Sequence, residues 1–346
     1  MPRTSSSRRR VTRGRVGYRS GRRAAAIPET MRAAVIDGYG GVAKIDVREV
    51  AVVPPGAHEV LIRLHTAGVG SWDVAVRKGE VPSEHDFPRT LGTDGAGVVV
   101  DVGASVTRFK RGDAVWAYDF DNKHGGFYAE YVTIAAGSVG HVPRTLDLKH
   151  AGALTVIGLT ALQGVDDALE LEAAEAVIVH GASGNVGMIA AQFAQWRGAR
   201  VLATASGAEG VAFVRRLGIE NVIDGKREDI TTAAREFAPE GVDAVLAFVG
   251  GDELHACIDS LRKGGRVAHP NGIEPVPRAR KHVRVKSFDA EASPEKFAAL
   301  TRAVVASGLS VPIADSFPLG RAADAHRRME RGHVLGKVVV SLKRSD

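Results

Sequence analysis

Residues 176–204 constrain the fold of this chain most, because they predict a buried strand, a glycine turn, a helix and a second buried strand. Such a unit binds a dinucleotide when the turn lies close to the pyrophosphate and the helix N-terminus supplies unpaired N–H groups. Gly184 permits the close approach and Gly187 permits tight helix packing, while Ala182 replaces the first glycine of the usual pattern. The turn residues predicted to contact the cofactor are Gly181, Ala182, Ser183, Gly184, Asn185, Val186 and Gly187.

The length of 346 residues suits two domains rather than one core. A hydrophobic content of 45% without an apolar run near twenty residues predicts a soluble, cytoplasmic protein with no membrane span. The single cysteine, Cys257, excludes an intramolecular disulfide and a multi-cysteine zinc site. Its place in an amphipathic helix predicts a buried free thiol.

The charge of the chain is concentrated at its start. Residues 1–30 contain nine arginines and one acid, Glu29, for a net charge of +8, so the total of +6 leaves −2 for residues 31–346. That balance argues against nucleic acid as the main partner. The Arg- and Ser-rich segment 1–30 is predicted to be disordered, and it has no apolar region typical of a secretory signal. We favour a solvated extension, or a true start at Met31, over an organelle transit peptide.

Two patterns of residues divide the rest of the chain. Val- and Ile-rich segments separated by Gly, Pro and Asp turns predict a β-rich domain over residues 31–147. Helix and strand patterns then alternate over residues 148–288, which predicts a parallel, doubly wound sheet and an α/β fold class. Helices are predicted near 148–169, 185–197, 208–217, 227–237 and 252–262, and strands near 177–180, 200–204, 221–223, 243–248 and 265–269. Residues 289–346 return to the first domain, with helices near 294–307 and 321–331 and a closing strand at 336–341.

Six segments resemble, in order and spacing, markers of the medium-chain dehydrogenase/reductase superfamily and, within it, of the zinc-independent quinone oxidoreductases. The resemblance extends from Met31 to Leu342. It implies a GroES-like β-rich catalytic domain formed from both chain ends, an inserted Rossmann domain that binds NADP(H), and an active site in the cleft between them. The six segments are 67–80, 91–103, 125–132, 151–162, 180–187 and 336–340.

The same resemblance indicates whether a catalytic zinc ion is expected. Zinc-dependent members place a cysteine at the position of Gly70, ligands at the positions of Thr93 and Asp94, and a second cysteine near Ala153. Catalytic zinc needs about three protein ligands, and neither glycine nor alanine has a donor atom. We therefore predict that no zinc takes part. Without a Lewis acid the acceptor must itself delocalise negative charge, as quinones and α,β-unsaturated carbonyl compounds do.

Three residues are candidates for the substrate cleft. Trp72 is predicted either to stack on a planar quinone or to anchor the domain interface. Ser71 either donates a hydrogen bond to a carbonyl oxygen or simply forms a turn. Tyr39 resembles an aromatic residue at the family's site entrance, and the alternative is a surface turn residue.

The cofactor prediction depends on the end of the second Rossmann strand. Ala205 stands where NAD enzymes carry an acid, and the uncharged Ser206 follows, which favours NADPH. Arg215 or Arg216 on the next helix is the candidate partner of the 2′-phosphate, the alternative being a solvated arginine. Thr160 matches a family threonine near the nicotinamide, or else bonds its own backbone. Further contacts implied by position are Val249, Gly250, Asn271, Gly272 and Lys337, the last being alternatively a solvated lysine at the start of an edge strand.

Three functions fit these residues. The first is an NADPH-dependent, zinc-free reductase of a quinone or an α,β-unsaturated carbonyl compound. The second is an enoyl-thioester reductase of the same superfamily, and the third is a non-catalytic NADPH-binding or RNA-binding protein. The last strand of the parallel sheet, near residues 282–288 and with alternating Val283 and Val285, predicts a two-fold homodimer.

Overall fold

The computed structural model describes residues 26–81, 86–278 and 280–343 of the chain. Most of the predicted extension, residues 1–25, lies outside the described residues. Its predicted boundary is two residues too late, because the first strand begins at Thr30 and the carbonyl of Glu29 accepts a hydrogen bond from the N–H of Val52. Glu29 and Thr30 therefore belong to the folded domain.

Short strands rich in Val and Ile form the first domain, as predicted. One helix, α1, follows the third strand and carries two of the predicted site residues. The elements are β1 Thr30–Ile36, β2 Asp46–Ala51, β3 Glu59–Val69, α1 Ser71–Lys78, β4 Arg89–Thr90, β5 Asp94–Val102, β6 Ala114–Tyr118, β7 Tyr131–Ala135 and β8 Val139–His141.

Alternating helices and strands form the second domain. Most predicted bounds lie within three residues of the observed ones; the fifth strand begins four residues earlier, and a π-helical turn over Gly164–Ala168 ends the first helix. The elements are α2 Leu148–Gln163, β9 Ala176–His180, α3 Gly187–Trp196, β10 Arg200–Ala205, α4 Gly207–Arg216, β11 Val222–Asp224, α5 Ile230–Phe237, β12 Val242–Ala247, α6 Asp252–Asp259, β13 Leu261–Pro270 and β14 Arg284–Phe288.

The six strands of this domain are all parallel, in the order β11-β10-β9-β12-β13-β14. The strand order reverses between β9 and β12. A crevice opens at the carboxyl ends of the strands at such a reversal, and ligands of doubly wound sheets bind there. The predicted Rossmann fold is therefore confirmed, and its binding crevice is located.

The chain then returns to the first domain, as predicted. The seven-stranded sheet of that domain has the order β15-β16-β3-β5-β6-β8, with β7 also paired to β3. The closing strand β16 lies between β15 and β3, so its predicted position at an edge is wrong. The returning elements are α7 Pro294–Ser307, β15 Ile313–Pro318, α8 Ala322–Glu330 and β16 Lys337–Ser341.

Helix α2 joins the two domains. It is buried from Ala151 through Gln163, as expected of a helix that is apolar on every face. The Thr155 hydroxyl and the Val156 N–H bond to Gly95 and Asp94 of the first domain. The same helix shares one continuous hydrophobic core with the Rossmann helix α3. No helix in the described part of the chain is long and apolar enough to cross a membrane.

Candidate cofactor and substrate site

The glycine turn follows β9 at the reversal of strand order. Gly181 has a left-handed φ of +82°, and the N–H of Ala182 donates to the carbonyl of Thr204 at 2.8 Å. A Cβ on Gly187 would lie 2.2 Å from the Gly181 carbonyl oxygen, so only glycine lets α3 begin this close to the strand. A Cβ on Gly184 would lie 3.3 Å from that oxygen, which needs an adjustment of only a few tenths of an ångström.

Buried polar groups hold the backbone of this turn through hydrogen bonds. The His180 Nδ1 lies 2.8 Å from the Thr204 hydroxyl, which also accepts a hydrogen bond from the Gly181 N–H at 3.1 Å. The sulfur of Cys257 lies 3.6 Å from the same histidine nitrogen. Burial lowers the pKa of His180 to about 4 and raises the pKa of Cys257 to about 12, so both groups are neutral near pH 7. The predicted buried free thiol is confirmed.

The loop after β12 lies against the glycine turn. A Cβ on Gly181 would contact the side chain of Val249 at 3.1 Å, and Val249 is 46% exposed. A Cβ on Gly250 would lie 2.2 Å from the carbonyl oxygen of Glu274, so the loops after β12 and β13 pack backbone to backbone. The structure therefore brings Val249 and the glycine turn together, with an apolar side chain facing solvent.

The loop after β13 is held by a different partner. The amide of Asn271 donates to the carboxylate of Asp289 at 2.7 Å, and Gly272 has a left-handed φ of +83°. Asn271 thus ties the end of β13 to the segment that follows β14. Its predicted cofactor contact stays a prediction.

The end of β10 carries no acid, as the sequence indicated. The N–H of Ser206 donates to the Ser183 hydroxyl at 3.4 Å, and α4 begins directly afterwards. Arg216 is the last residue of α4, roughly 13 Å along the helix axis from Gly207. Its guanidinium lies 5.9 Å from the ring of Phe213. The helix therefore carries Arg216 away from the end of β10, and its contact with the 2′-phosphate stays a prediction.

Two cations that the sequence analysis missed lie beside this strand end. The N–H of Gly225 donates to the carbonyl of Ala205 at 3.0 Å, so the loop after β11 lies against the end of β10. Lys226 and Arg227 follow in that loop, and both side chains are exposed. Parallel neighbouring strands end at the same edge of a sheet, so the basic pair after β11 was the available sequence signal.

Three contacts fix the indole of Trp72. Its Nε1–H donates to the Thr93 hydroxyl at 2.8 Å, and the ammonium of Lys337 lies 4.6 Å from the ring centroid. A Cβ on Gly70 would lie 2.3 Å from the indole ring, so the ring covers the backbone of Gly70. The resemblance implies that Gly70 and Thr93 stand at ligand positions of zinc-dependent members, and a cysteine at position 70 would collide with the indole.

A buried charge cluster lies behind Trp72. Lys337, Asp94 and Asp73 are at most 1% exposed, so the alternative of a solvated Lys337 is wrong. A Cβ on Gly68 would lie 2.8 Å from Asp94 Oδ1 and 3.0 Å from Lys337 Cε, which shows that these side chains meet over one backbone position. Burial raises the pKa of Asp73 to about 7 and that of Asp94 to about 6, although the charge of Lys337 opposes both shifts.

The other two cleft candidates lie at opposite ends of α1. Ser71 is the exposed first residue of that helix, next to Trp72. Tyr39 packs on its C-terminal end, where a Cβ on Gly79 would lie 2.8 Å from Tyr39 Cγ. Its ring forms an edge-on pair with Phe87 at 4.9 Å between centroids. The helix thus separates Tyr39 from Trp72 by roughly 10 Å.

Thr160 lies on α2 between the two domains. Its hydroxyl donates to the carbonyl of Val156 at 2.8 Å, which is the backbone bond considered as the alternative. The oxygen lone pairs can still accept a hydrogen bond, such as one from the carboxamide of a nicotinamide. Its role at the cofactor stays a prediction.

A cavity of about 310 Å³ lies within the first domain, beside Thr93 and Asp73. All the residues that line it lie between Met31 and Gly126, so no part of the Rossmann domain faces it. The crevice beside the glycine turn is therefore the better candidate for hydride transfer. Among the described residues, no group of three His, Cys, Asp or Glu side chains has the geometry of a metal site.

Two family models match the chain. An alcohol dehydrogenase GroES-like domain matches residues 56–144, and a zinc-binding dehydrogenase model matches residues 217–340. A catalytic domain built from both chain ends and holding an inserted Rossmann domain, together with these matches, defines a medium-chain dehydrogenase/reductase.

Individual relatives narrow the assignment. The quinone oxidoreductase of Mus musculus is 31% identical, covering 90% of this chain and 98% of its own length. An NADPH-dependent alkenal/one oxidoreductase of Arabidopsis thaliana is 30% identical, covering 91% and 81%. A mycobacterial protein solved in complex with NADPH superposes with a TM-score of 0.80 at 27% identity, covering 90% and 99%. The chain belongs to the quinone oxidoreductase-like branch of the superfamily and is an oxidoreductase.

Proposed function

We propose that the protein reduces a quinone or an α,β-unsaturated carbonyl compound with NADPH, without zinc. One observation carries the proposal: the indole of Trp72 fills the space beside Gly70 and Thr93 where zinc-dependent relatives hold ligands. An acceptor reduced without a Lewis acid has to delocalise the negative charge itself. Conjugated carbonyl compounds do so, and the names of the mouse and Arabidopsis relatives point to the same acceptors.

The residues of the crevice have distinct tasks in this proposal. NADPH, when bound, supplies a hydride. The N–H groups at the start of α3 bind the pyrophosphate, and the absence of a side chain at Gly184 leaves room for it. Val249 packs beside the turn, and Trp72 orients a flat acceptor from the catalytic domain. The negative charge that arrives on the acceptor is neutralised by a proton from water.

The preference for NADPH rests on the loop after β11. The neutral Ala205 offers no carboxylate to a ribose 2′-hydroxyl. Lys226 and Arg227 lie beside it and provide the positive charge that a 2′-phosphate requires. Arg227 Nε lies 3.8 Å from the Asp224 carboxylate, so Lys226 is the stronger candidate.

The proposal includes a two-fold homodimer in the cytoplasm. Strand β14 lies at the edge of the Rossmann sheet. Val283 and Val285 pack against the core of their own domain, whereas Arg284 and Lys286 are exposed. Pairing at this edge would therefore use backbone hydrogen bonds rather than the valines.

Steady-state oxidation of NADPH and NADH against a panel of acceptors tests the function. The panel contains a naphthoquinone, an acyclic enone, a saturated aldehyde and crotonyl-CoA. We expect kcat/KM for the conjugated acceptors to exceed that for the aldehyde by at least about 100-fold, since a saturated carbonyl lacks the several kcal/mol that a metal supplies. Preferred turnover of crotonyl-CoA would select the enoyl-thioester alternative. Cofactor binding without oxidation across the panel would select the non-catalytic one.

A further inference from the structure

The indole of Trp72 is held by groups that are themselves fixed. Thr93 is 3% exposed and Lys337 is fully buried, so neither can move without disturbing the core. The hydrogen bond at 2.8 Å fixes the nitrogen edge of the ring, and the ammonium 4.6 Å from the centroid fixes one ring face. Trp72 itself is half-buried and packs on the core that includes α2. Its remaining exposed surface therefore has one orientation.

Lys337 is suited to this task because its side-chain nitrogen makes no direct hydrogen bond. Among the described residues its Nζ has no hydrogen-bond partner, and Oδ1 of both Asp94 and Asp73 has none either. Burial lowers the pKa of Lys337, and the charges of the two carboxylates oppose that shift. The contact with the indole is therefore a directed interaction with which no hydrogen bond of Nζ competes.

We propose that Lys337 is a positioning residue, which with Thr93 clamps the Trp72 indole as a flat wall and makes the cleft prefer planar ring quinones to acyclic enones. The inference rests on the proposed function and names the acceptor class within it. A rigid ring stacks on a planar acceptor over its whole face, whereas a short acyclic acceptor gains little from it. Loss of the clamp should thus reduce turnover of ring quinones selectively.

The test compares a naphthoquinone with an acyclic enone in the full-length protein. Lys337→Met is combined with Asp94→Asn, so that the buried positive charge is removed together with one of the two carboxylate charges that act on it. We expect kcat/KM for the quinone to fall about tenfold and that for the enone to change less than twofold, since a desolvated cation–π contact is of that order. The same double change in a Trp72→Leu background should add no further loss.

Two further measurements keep the inference decidable. Thr93→Val leaves the charge cluster intact and removes only the acceptor of the indole N–H, so it should shift the quinone-to-enone ratio in the same direction, about threefold. Trp72 emission, isolated by subtracting a Trp72→Phe spectrum, should also change in the Lys337→Met/Asp94→Asn protein without any substrate.

Three results would overturn the clamp. They are equal losses of kcat/KM for both acceptors, additive losses in the Trp72→Leu background, and an unchanged quinone-to-enone ratio in Thr93→Val. If the wild type reduces quinones but the quinone-to-enone ratio of kcat/KM is the same in all variants, only this inference is overturned. A wild-type protein that reduces neither quinones nor enones removes the proposed function, and the clamp falls with it. A wild-type protein that reduces only the enone overturns the clamp and leaves the proposed function standing.

Discussion

At the scale of single residues, Gly184 and Gly187 of the turn are glycine for different reasons. A Cβ on Gly187 meets the Gly181 carbonyl oxygen at 2.2 Å, whereas a Cβ on Gly184 meets the same atom at 3.3 Å. The first restriction comes from the protein itself. The second comes mainly from the proposed ligand, because the space in front of Gly184 is otherwise open.

Replacing each of these glycines with alanine distinguishes the two reasons. Gly187→Ala should lower the free energy of unfolding by about 1–3 kcal/mol, as overpacking does. Gly184→Ala should change stability by less than about 1 kcal/mol and weaken NADPH binding by roughly tenfold. Urea unfolding and NADPH titration of both variants provide the comparison. Equal effects of the two substitutions on both quantities would contradict this assignment.

Lys226 is the residue on which the cofactor preference depends. Replacing it with alanine removes a cation from the loop that bonds to the end of β10. We expect kcat/KM for NADPH to fall about 5- to 20-fold, since a hydrogen bond to a charged group contributes about 1.5 kcal/mol. The value for NADH should not change.

Lys263→Ala is the matched control for this prediction. Lys263 is also exposed, but it lies near the amino end of β13, whereas Lys226 follows the carboxyl end of β11. Its removal should leave both cofactors unaffected. A uniform loss with NADPH and NADH in Lys226→Ala would show that Lys226 does not recognise the 2′-phosphate.

The sequence located the turn residues but did not show the surroundings of the charged ones. The glycine pattern is local, because strand, turn and helix are contiguous, and the turn lies between strand and helix as predicted. The distance of Arg216 from the start of α4 depends on the length of that helix. The alternative of a solvated Lys337 was wrong because strand order places β16 between two neighbours and buries its first residue. Strand order is non-local geometry that a single sequence does not show.

At the scale of elements, helix α8 carries a buried histidine that makes stability depend on pH. His326 is fully buried, forms an edge-on contact with Tyr128 at 5.7 Å, and has no hydrogen bond within the described chain. Burial, and after it the charge of Arg77, lowers its pKa to about 4. The unfolded chain therefore binds a proton between pH 6.5 and 4 that the folded protein does not, and stability falls as the pH falls through that window.

His326→Phe removes this proton-binding difference and keeps the aromatic packing. The free energy of unfolding of the wild type relative to the variant should decrease by about 2–3 kcal/mol between pH 7 and pH 4, from a shift of about two units. Urea unfolding at several pH values measures it. The exposed His58→Phe should show no such trend, and a constant difference for His326→Phe would refute the prediction.

The sequence periodicity predicted the type of each element more accurately than its first and last residues. The helix α5 begins at Ile230 because the Asp229 carboxylate accepts a hydrogen bond from the Thr232 N–H at 2.8 Å. The helical prediction from residue 227 missed this cap. The helix Pro294–Ser307 has the predicted bounds, since Ser293 caps its start and Gly308 ends it in a left-handed conformation.

At the scale of the whole molecule, the proposed homodimer depends on the exposed edge of the Rossmann sheet. Two copies paired at β14 would bond through the backbone, and the exposed Arg284 and Lys286 of each copy would lie near the interface. We expect a dimer in solution scattering. Val285→Pro should shift it towards monomer, because proline removes a backbone donor from the edge. A wild-type monomer at high concentration would rule the dimer out.

Domain organisation was predictable because the two domains differ in the spacing of their apolar residues and because the chain returns once to the first domain. The joining role of α2 was not predictable, since an all-apolar helix gives no indication of which surfaces cover it. The same holds for Trp72, because two of its three partners, Thr93 and Lys337, come from distant parts of the chain.

The central claim is that Trp72 stands in the place of a metal and that conjugated acceptors are reduced without one. The direct measurement is NADPH-dependent quinone reduction before and after prolonged dialysis against a strong chelator, with elemental analysis of the same samples. The account predicts an unchanged rate and no stoichiometric zinc. A rate that is lost on chelation and restored by added Zn²⁺ would contradict it.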